Sequence, residues 1–169
     1  MLEDLLKNEG PNEKSLAPTI FAIEKADISV WPTFTASPTT NAQRATRTGT
    51  FTLLATKKFE KIEIVPEEGD LKDKNSGGAQ YLSSESELEF EVSGIDAAKI
   101  GWFKANKNKE MVIVCPDRNG LQVILGDEIQ GCYITEVENS RGAKRGFKVK
   151  VRYAGKEPAV WAGVPPLTA

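Results

Sequence analysis

The sequence predicts a mainly β protein, either a β-sandwich or a rolled β-barrel, with one α-helix packed outside. Two segments, 86–92 (SELEFEV) and 147–153 (FKVKVRY), alternate strictly between apolar and charged residues, as half-buried strands do. One internal segment, 95–105, has the apolar spacing of a helix. The 169 residues are enough for one domain with its own core, so residues 1–169 are expected to form a single β-rich domain.

The first fifty residues have a less regular pattern than the rest of the chain. Residues 1–18 are expected to form an N-terminal extension. Within it, the pattern of residues 1–10 predicts a short helix that ends at Gly10 and Pro11. Residues 19–30 predict one or two strands between prolines. Residues 33–50 are rich in threonine and carry too few apolar side chains for a core of their own. They predict a long surface loop or an arm that orders only against a neighbouring subunit.

From residue 51 onward the pattern is plainly β. Residues 67–80 are polar and contain two adjacent glycines, so they predict a turn region. The internal helix is expected to begin at a Ser93 or Asp96 cap and to bury Ile95, Ala98, Trp102 and Ala105. The predicted strands are 51–56, 59–66, 86–92, 111–115, 121–126, 131–137 and 147–153.

The residues that usually carry enzyme chemistry are sparse. The chain has no histidine, which removes the commonest general acid–base group and the commonest metal ligand. Residues 73–78 resemble the opening of a calcium loop, but the twelfth position is Ser84, where a bidentate glutamate is needed. We therefore expect a protein that is not an enzyme and has no cofactor and no metal site.

Two further expectations concern the cysteines and the membrane. Cys115 and Cys132 are expected to be free, buried thiols rather than a disulfide. No stretch approaches the roughly 20 apolar residues of a membrane-spanning helix, and the first ten residues are acidic where a signal peptide would be basic. The sequence therefore favours a protein that is made and assembled in a cytosol.

The net charge of −2 conceals an uneven distribution. Residues 57–91 contain five basic and ten acidic side chains, and residues 141–169 contain seven basic and one acidic. Three explanations are open for the acidic and basic stripes: neighbours in one sheet, separate solvated faces, or a contact between subunits. The stripes are Glu87, Glu89 and Glu91 on one strand and Lys148, Lys150 and Arg152 on the other.

The second half of the chain carries a resemblance. An acidic strand (ELEFEV) is followed by a short helix (GIDAAKIGWFKANKN), an apolar strand with a turn (MVIVCPDRNG) and a strand reading QVILGDE. The turn motifs at 112–120 and 123–128 resemble those of the major tail proteins that form the tail tube of tailed bacteriophages. The resemblance covers residues 50–155.

This resemblance implies a structural protein of the virion, assembled in the host bacterial cytoplasm. Six copies would join their sheets into a ring around a central channel, and stacked rings would bind other virion proteins and let DNA pass transiently. Glu87, Glu89 and Glu91 would then face the lumen. Arg44 and Arg47 would anchor the arm on the next ring, and the basic stripe Lys148, Lys150 and Arg152 would contact a neighbouring subunit.

Two other classes of protein fit the same residues. A capsid decoration or head–tail joining protein would share the β-rich, histidine-free sequence. A non-enzymatic module that binds carbohydrate or protein would use Trp31, Trp102 and Trp161 as ligand platforms, although tryptophan is more often a core residue.

Overall fold

The structure, a computed structural model, describes residues 16–78 and 81–168. The helix predicted for residues 1–10 lies outside the described residues. Within them the protein is mainly β, as the sequence predicts, and no helix is long and apolar enough to cross a membrane. The helices are α1 (Asn41–Ala45) and α2 (Ala97–Asn106).

In chain order the strands are β1 (Thr19–Glu24), β2 (Ile28–Val30), β3 (Thr33–Phe34), β4 (Thr46–Thr48), β5 (Thr52–Leu53), β6 (Glu60–Glu63), β7 (Asp70–Gly78), β8 (Tyr81–Ser93), β9 (Met111–Pro116), β10 (Gln122–Leu125), β11 (Tyr133–Ser140), β12 (Gly146–Gly155) and β13 (Ala159–Trp161).

These strands form three sheets. A seven-stranded sheet has the order β3-β4-β13-β10-β9-β1-β6, a four-stranded sheet has the order β11-β12-β8-β7, and β2 pairs with β5. The pairs are antiparallel except for β13 with β4, which is parallel. Among the described strands neither large sheet closes on itself, so each has two edges.

The main hydrophobic core draws buried side chains from both large sheets and from α2. Ile20 and Ile113 of the seven-stranded sheet belong to the same cluster as Leu88 and Val149 of the four-stranded sheet. A second cluster, around Trp161, covers the opposite side of the seven-stranded sheet. β9 contributes to both clusters, which explains why its sequence is a continuous apolar run rather than an alternating one.

Helix α2 lies close to its predicted position, and its predicted face is buried only in part. The Asp96 carboxylate accepts a hydrogen bond from Lys99 N–H at 2.8 Å and caps the helix. Phe103 is the buried residue of the helix, Ile95 and Trp102 are partly buried against the core as predicted, and Ala98 and Ala105 are exposed, contrary to the prediction. Phe103 packs on Phe147 of β12 with ring centroids 4.8 Å apart, because a large aromatic ring gains more from burial than the alanines do.

Two segments have more regular structure than the sequence suggests. The prediction that 67–80 is a turn region is wrong for residues 70–78, which form β7 against β8. Residues 33–50 contain β3, α1 and β4, and β4 joins the seven-stranded sheet beside β13. In both places backbone hydrogen bonds to an existing strand hold the segment, and such bonds need no apolar side chains.

The prediction of two free, buried cysteines is confirmed. Cys115 and Cys132 are both reduced and at most 1% exposed. Burial raises the pKa of Cys132 to about 12 and raises the pKa of Cys115 as well. Both thiols therefore stay protonated at neutral pH and act as small core residues.

Candidate functional site

The four-stranded sheet has one apolar face and one charged face. Along β8, Leu88 and Phe90 are buried in the core, and the glutamates between them point to the opposite side. Along β12, Val149 and Val151 are buried in the same way, and the basic residues alternate with them. Strict alternation in the sequence thus becomes a division between core and surface.

Of the three explanations for the two charged stripes, the structure shows the first: they are neighbours in one sheet. β8 and β12 are antiparallel partners, and each basic residue lies directly opposite a glutamate. The pairs are Lys148 with Glu91, Lys150 with Glu89, and Arg152 with Glu87. This geometry leaves the lumenal role of the glutamates and the inter-subunit role of the basic residues as predictions.

The shortest ion pairs run diagonally rather than straight across. Lys148 Nζ lies 2.5 Å from a Glu89 carboxylate oxygen, and Arg152 Nε lies 2.7 Å from Glu85. The hydrogen bond between Lys148 and Glu89 lowers the pKa of Glu89 and raises the pKa of Lys148. Both groups therefore stay charged over the whole neutral range. Because these side chains are between 28% and 53% exposed, we assign the pairs to register and surface charge more than to stability.

Charge alternates from strand to strand across this surface, which we call the charged face. β11 is acidic, β12 basic, β8 acidic, and β7 carries two lysines and one aspartate. Carboxylates outnumber cations by seven to five, so the face is slightly negative. Its members are Glu136 and Glu138; Lys148, Lys150 and Arg152; Glu85, Glu87, Glu89 and Glu91; and Asp70, Lys72 and Lys74.

The charged residues on the two outer strands of this face were not predicted from the sequence. Glu136 and Glu138 alternate with Val137 in β11, and that alternation was the available signal. Lys72 and Lys74 stand in a segment that reads as a turn, so nothing local indicated that they share a face with the β8 glutamates.

The two arginines of segment 33–50 differ in environment. Arg44 is exposed on α1. Arg47 is 5% exposed: its guanidinium donates to Pro32 O at 3.1 Å and to both Glu128 carboxylate oxygens at 2.9 and 3.2 Å. It also lies 4.9 Å from the centroid of the Phe34 ring. Arg47 thus pairs with an acidic residue of its own chain, and segment 33–50 is held to the domain at this point.

Replacing Arg47 by methionine is expected to lower the free energy of unfolding by about 1–3 kcal/mol, because the charge-assisted bonds to Glu128 are lost. Arg44→Met, in the same segment but exposed, is expected to change it by less than about 0.5 kcal/mol. Urea unfolding of both variants measures the difference. Equal effects of the two substitutions would contradict the structural role of Arg47.

Among the described residues, no group of three histidine, cysteine, aspartate or glutamate side chains is placed to hold a metal ion. Residues 73–78, which resemble the start of a calcium loop, belong instead to strand β7. No protein family, no curated protein and no solved structure matches this chain.

Proposed function

We propose that this chain is a non-enzymatic, self-assembling structural protein of a tailed-bacteriophage virion, with the tail tube protein as the best-supported role. Its two large sheets would then pack as a β-sandwich with α2 on its flank. The observation that carries the proposal is the four-stranded sheet, which has a core on one face, a mostly charged surface on the other and, among the described strands, an unpaired edge on each side.

The strand directions of this sheet favour assembly by rotation. The sheet has an even number of strands, and each is antiparallel to the next, so its two edge strands run in opposite directions. Copies related by rotation about one axis would therefore meet edge to edge in antiparallel pairing. Such head-to-tail contacts close into a ring when the rotation permits, and closure removes the exposed edges.

The charged face suits the wall of a channel for DNA. In such a ring it would face the axis, with Glu87, Glu89 and Glu91 in the lumen. DNA carries one negative charge per about 1.7 Å of helix axis and adheres to surfaces with a concentrated basic excess. A face with more carboxylates than cations repels the phosphates, and DNA would slide past it. Stacked rings of six copies, with Arg44 facing the next ring, complete the proposed arrangement.

The two alternatives have less support. A capsid decoration or head–tail joining protein would use the same fold but would not form tubes alone. Tryptophans that serve as ligand platforms should be exposed, but Trp161 is 1% exposed and Trp31 and Trp102 are partly buried. Trp102 also packs edge-on against Phe103, with centroids 5.1 Å apart.

The purified protein is expected to form rings or tubes with a central hole as its concentration rises. Light scattering across concentration measures the mass, negative-stain microscopy shows the shape, and a reconstruction shows which face lines the hole. A protein that stays monomeric at high concentration, and that binds pre-formed capsids, would contradict the tail tube in favour of a decoration protein. Rings with the charged face outward would contradict the lumenal role of the glutamates.

A further inference from the structure

The two free edges of the four-stranded sheet carry opposite charges on the charged face. Edge strand β7 places Lys72, Lys74 and Asp70 there, a net charge of +1, and edge strand β11 places Glu136 and Glu138, a net charge of −2. Lys74 lies opposite Glu85 and Glu138 lies opposite Lys148, but among residues 16–78 and 81–168 neither Lys74 nor Glu138 forms an ion pair within 4 Å. A second edge of opposite charge would complement each of them.

We propose that β7 of one copy pairs with β11 of the next copy, with Lys72 opposite Glu138 and Lys74 opposite Glu136. This inference rests on the self-assembly proposed above and specifies its partner surface, a second copy of this chain. The alternation of acidic and basic strands then continues without interruption from one copy to the next.

These charges also determine which edges can meet. Two β11 edges brought together would place glutamates opposite glutamates. Two β7 edges would bring together strands that each carry Lys72, Lys74 and Asp70, a net charge of +1 on this face. Like charges directly opposite each other destabilise a strand pair, and opposite charges stabilise it. The charges therefore oppose a two-fold dimer through β11 most strongly, and the net charges of the two edges favour the head-to-tail contact that produces rings or filaments.

The register follows from the hand of the sheet. Val65 N–H donates to Glu91 O on the β7 side of β8, and Gly94 N–H donates to Arg145 O on the β12 side. With L-amino acids, these two hydrogen bonds fix the order of the strands as seen from the core face. When β8 runs upward, the order from left to right is β7, β8, β12, β11. Strands in a closed sheet tilt because of their right-handed twist, so a row, meaning the residues that lie opposite one another on successive strands, moves downward toward the right.

A descent of four residues per copy brings the opposite charges together. Glu91 and Glu138 lie in one row of the first copy. Four residues lower in the next copy is the row of Glu87, which contains Lys72, so Glu138 meets Lys72. By the same shift Glu136 meets Lys74. Odd shifts are excluded because they would turn the charged side chains of the next copy to the opposite face.

Barrel geometry is compatible with the same shift. Four residues at about 3.4 Å each, over four strands about 4.8 Å apart, tilt the strands by about 35°, at the lower limit of the range of about 35–45° usual for barrels. A shift of two residues gives about 20° and is excluded, and a shift of six gives about 47°, so the opposite charges decide between four and six. The result does not depend on the number of copies in the ring.

A second observation on the β11 edge points to a missing neighbour. Val137 lies on the core face directly opposite Val149, which is fully buried, yet Val137 is 36% exposed. The core of a single copy ends before it covers this side chain. In the proposed register Asp73 of the next copy lies opposite Val137, so the added strand would shield the valine from water without giving it an apolar partner.

Charge reversal on one edge at a time tests the proposal. Lys72→Glu with Lys74→Glu, or Glu136→Lys with Glu138→Lys, is expected to raise the concentration for half-assembly by about tenfold or more, because like charges then meet. An equimolar mixture of the two variants is expected to restore assembly. Each reversed edge then meets an edge of opposite charge, so the two proteins alternate around the ring, and native mass spectrometry shows them in equal numbers.

The control for the lysine variant is Lys104→Glu with Lys107→Glu, which changes the net charge by the same amount but lies at the C-terminal end of α2 and leaves both edges intact. Circular dichroism establishes that each variant folds. Because Glu136 pairs with Lys150 at 2.9 Å, Lys72→Glu and Glu138→Lys serve as a milder matched pair. If the wild type assembles but the reversed variants assemble equally well, or their mixture gives no recovery, the pairing is wrong and the proposed function stands. If the wild type never assembles, both are wrong.

Discussion

Replacing Trp161 by alanine is expected to lower the free energy of unfolding by about 3–5 kcal/mol, the largest effect among the substitutions considered. Trp161 is 1% exposed, and it stands at the centre of the second core cluster. Its ring packs edge-on against Phe51 with centroids 4.9 Å apart, and its indole N–H donates to Gly49 O at 2.9 Å. The substitution removes both contacts and leaves a cavity that a folded β-sheet cannot collapse to fill.

Urea unfolding measures this loss. Trp161→Phe keeps an aromatic ring but not the indole N–H, and it is expected to cost clearly less than the alanine change. Val164→Ala, at a position that is 76% exposed in the same C-terminal segment, is expected to stay within about 0.5 kcal/mol of the wild type. A Trp161→Ala protein as stable as the Val164→Ala protein would show that the second cluster does not hold the C-terminal strand.

Replacing Asp127 by alanine is expected to cost about 2–4 kcal/mol. Asp127 is 4% exposed, and its carboxylate accepts hydrogen bonds from Ile129 N–H and Gln130 N–H at 2.8 and 2.7 Å. It also accepts one from the buried Tyr153 hydroxyl at 3.0 Å. Alanine would leave all three donors without this acceptor, and the loss is most costly at the Tyr153 hydroxyl, which is buried.

Asp127 also makes stability depend on pH. Burial alone would raise its pKa, but the two backbone hydrogen bonds and the Tyr153 hydroxyl outweigh burial, and the net pKa is lowered. The folded protein therefore holds the charged form more strongly than the unfolded chain does. The stabilisation is complete above the unfolded pKa of about 3.9. It is lost as the pH falls through the lower folded pKa.

Asp127→Asn tests this dependence with little change in shape. The variant is expected to be less stable than the wild type at pH 7, and the difference is expected to shrink as the pH falls below about 4. Tyr153→Phe is the matched control, because it removes one hydrogen bond and leaves the carboxylate with its two backbone donors. If the stability difference between the Asp127→Asn variant and the wild type stayed constant down to about pH 2, the linkage would be contradicted.

Much of the four-stranded sheet was predictable because its inner strands alternate so regularly. β8 and β12 pack a core on one side and meet water on the other, and this asymmetry leaves a period of two in the sequence. The buried strand β9 was predictable for a different reason, since both of its faces are covered. The sequence therefore predicted the two inner strands of the candidate site, but it did not predict that they pair with each other.

The outer strands were harder to predict. β7 is polar and rich in glycine, and only its hydrogen bonds to β8 make it a strand. β4 is held by its parallel pairing with β13, more than a hundred residues away in the chain. The charged partner of Arg47 is Glu128, a residue that no local pattern links to it. Each case depends on a contact between distant segments, which sequence periodicity does not contain.

The sequence by itself determined that this protein is mainly β and which residues of its alternating strands are buried, because burial leaves a local, periodic record. Only the tertiary structure decided that the acidic and basic strands are neighbours, that Lys72 and Lys74 join their surface, and that its two edges are oppositely charged. These facts depend on strand order and register, which are set by backbone pairing and packing across the whole chain.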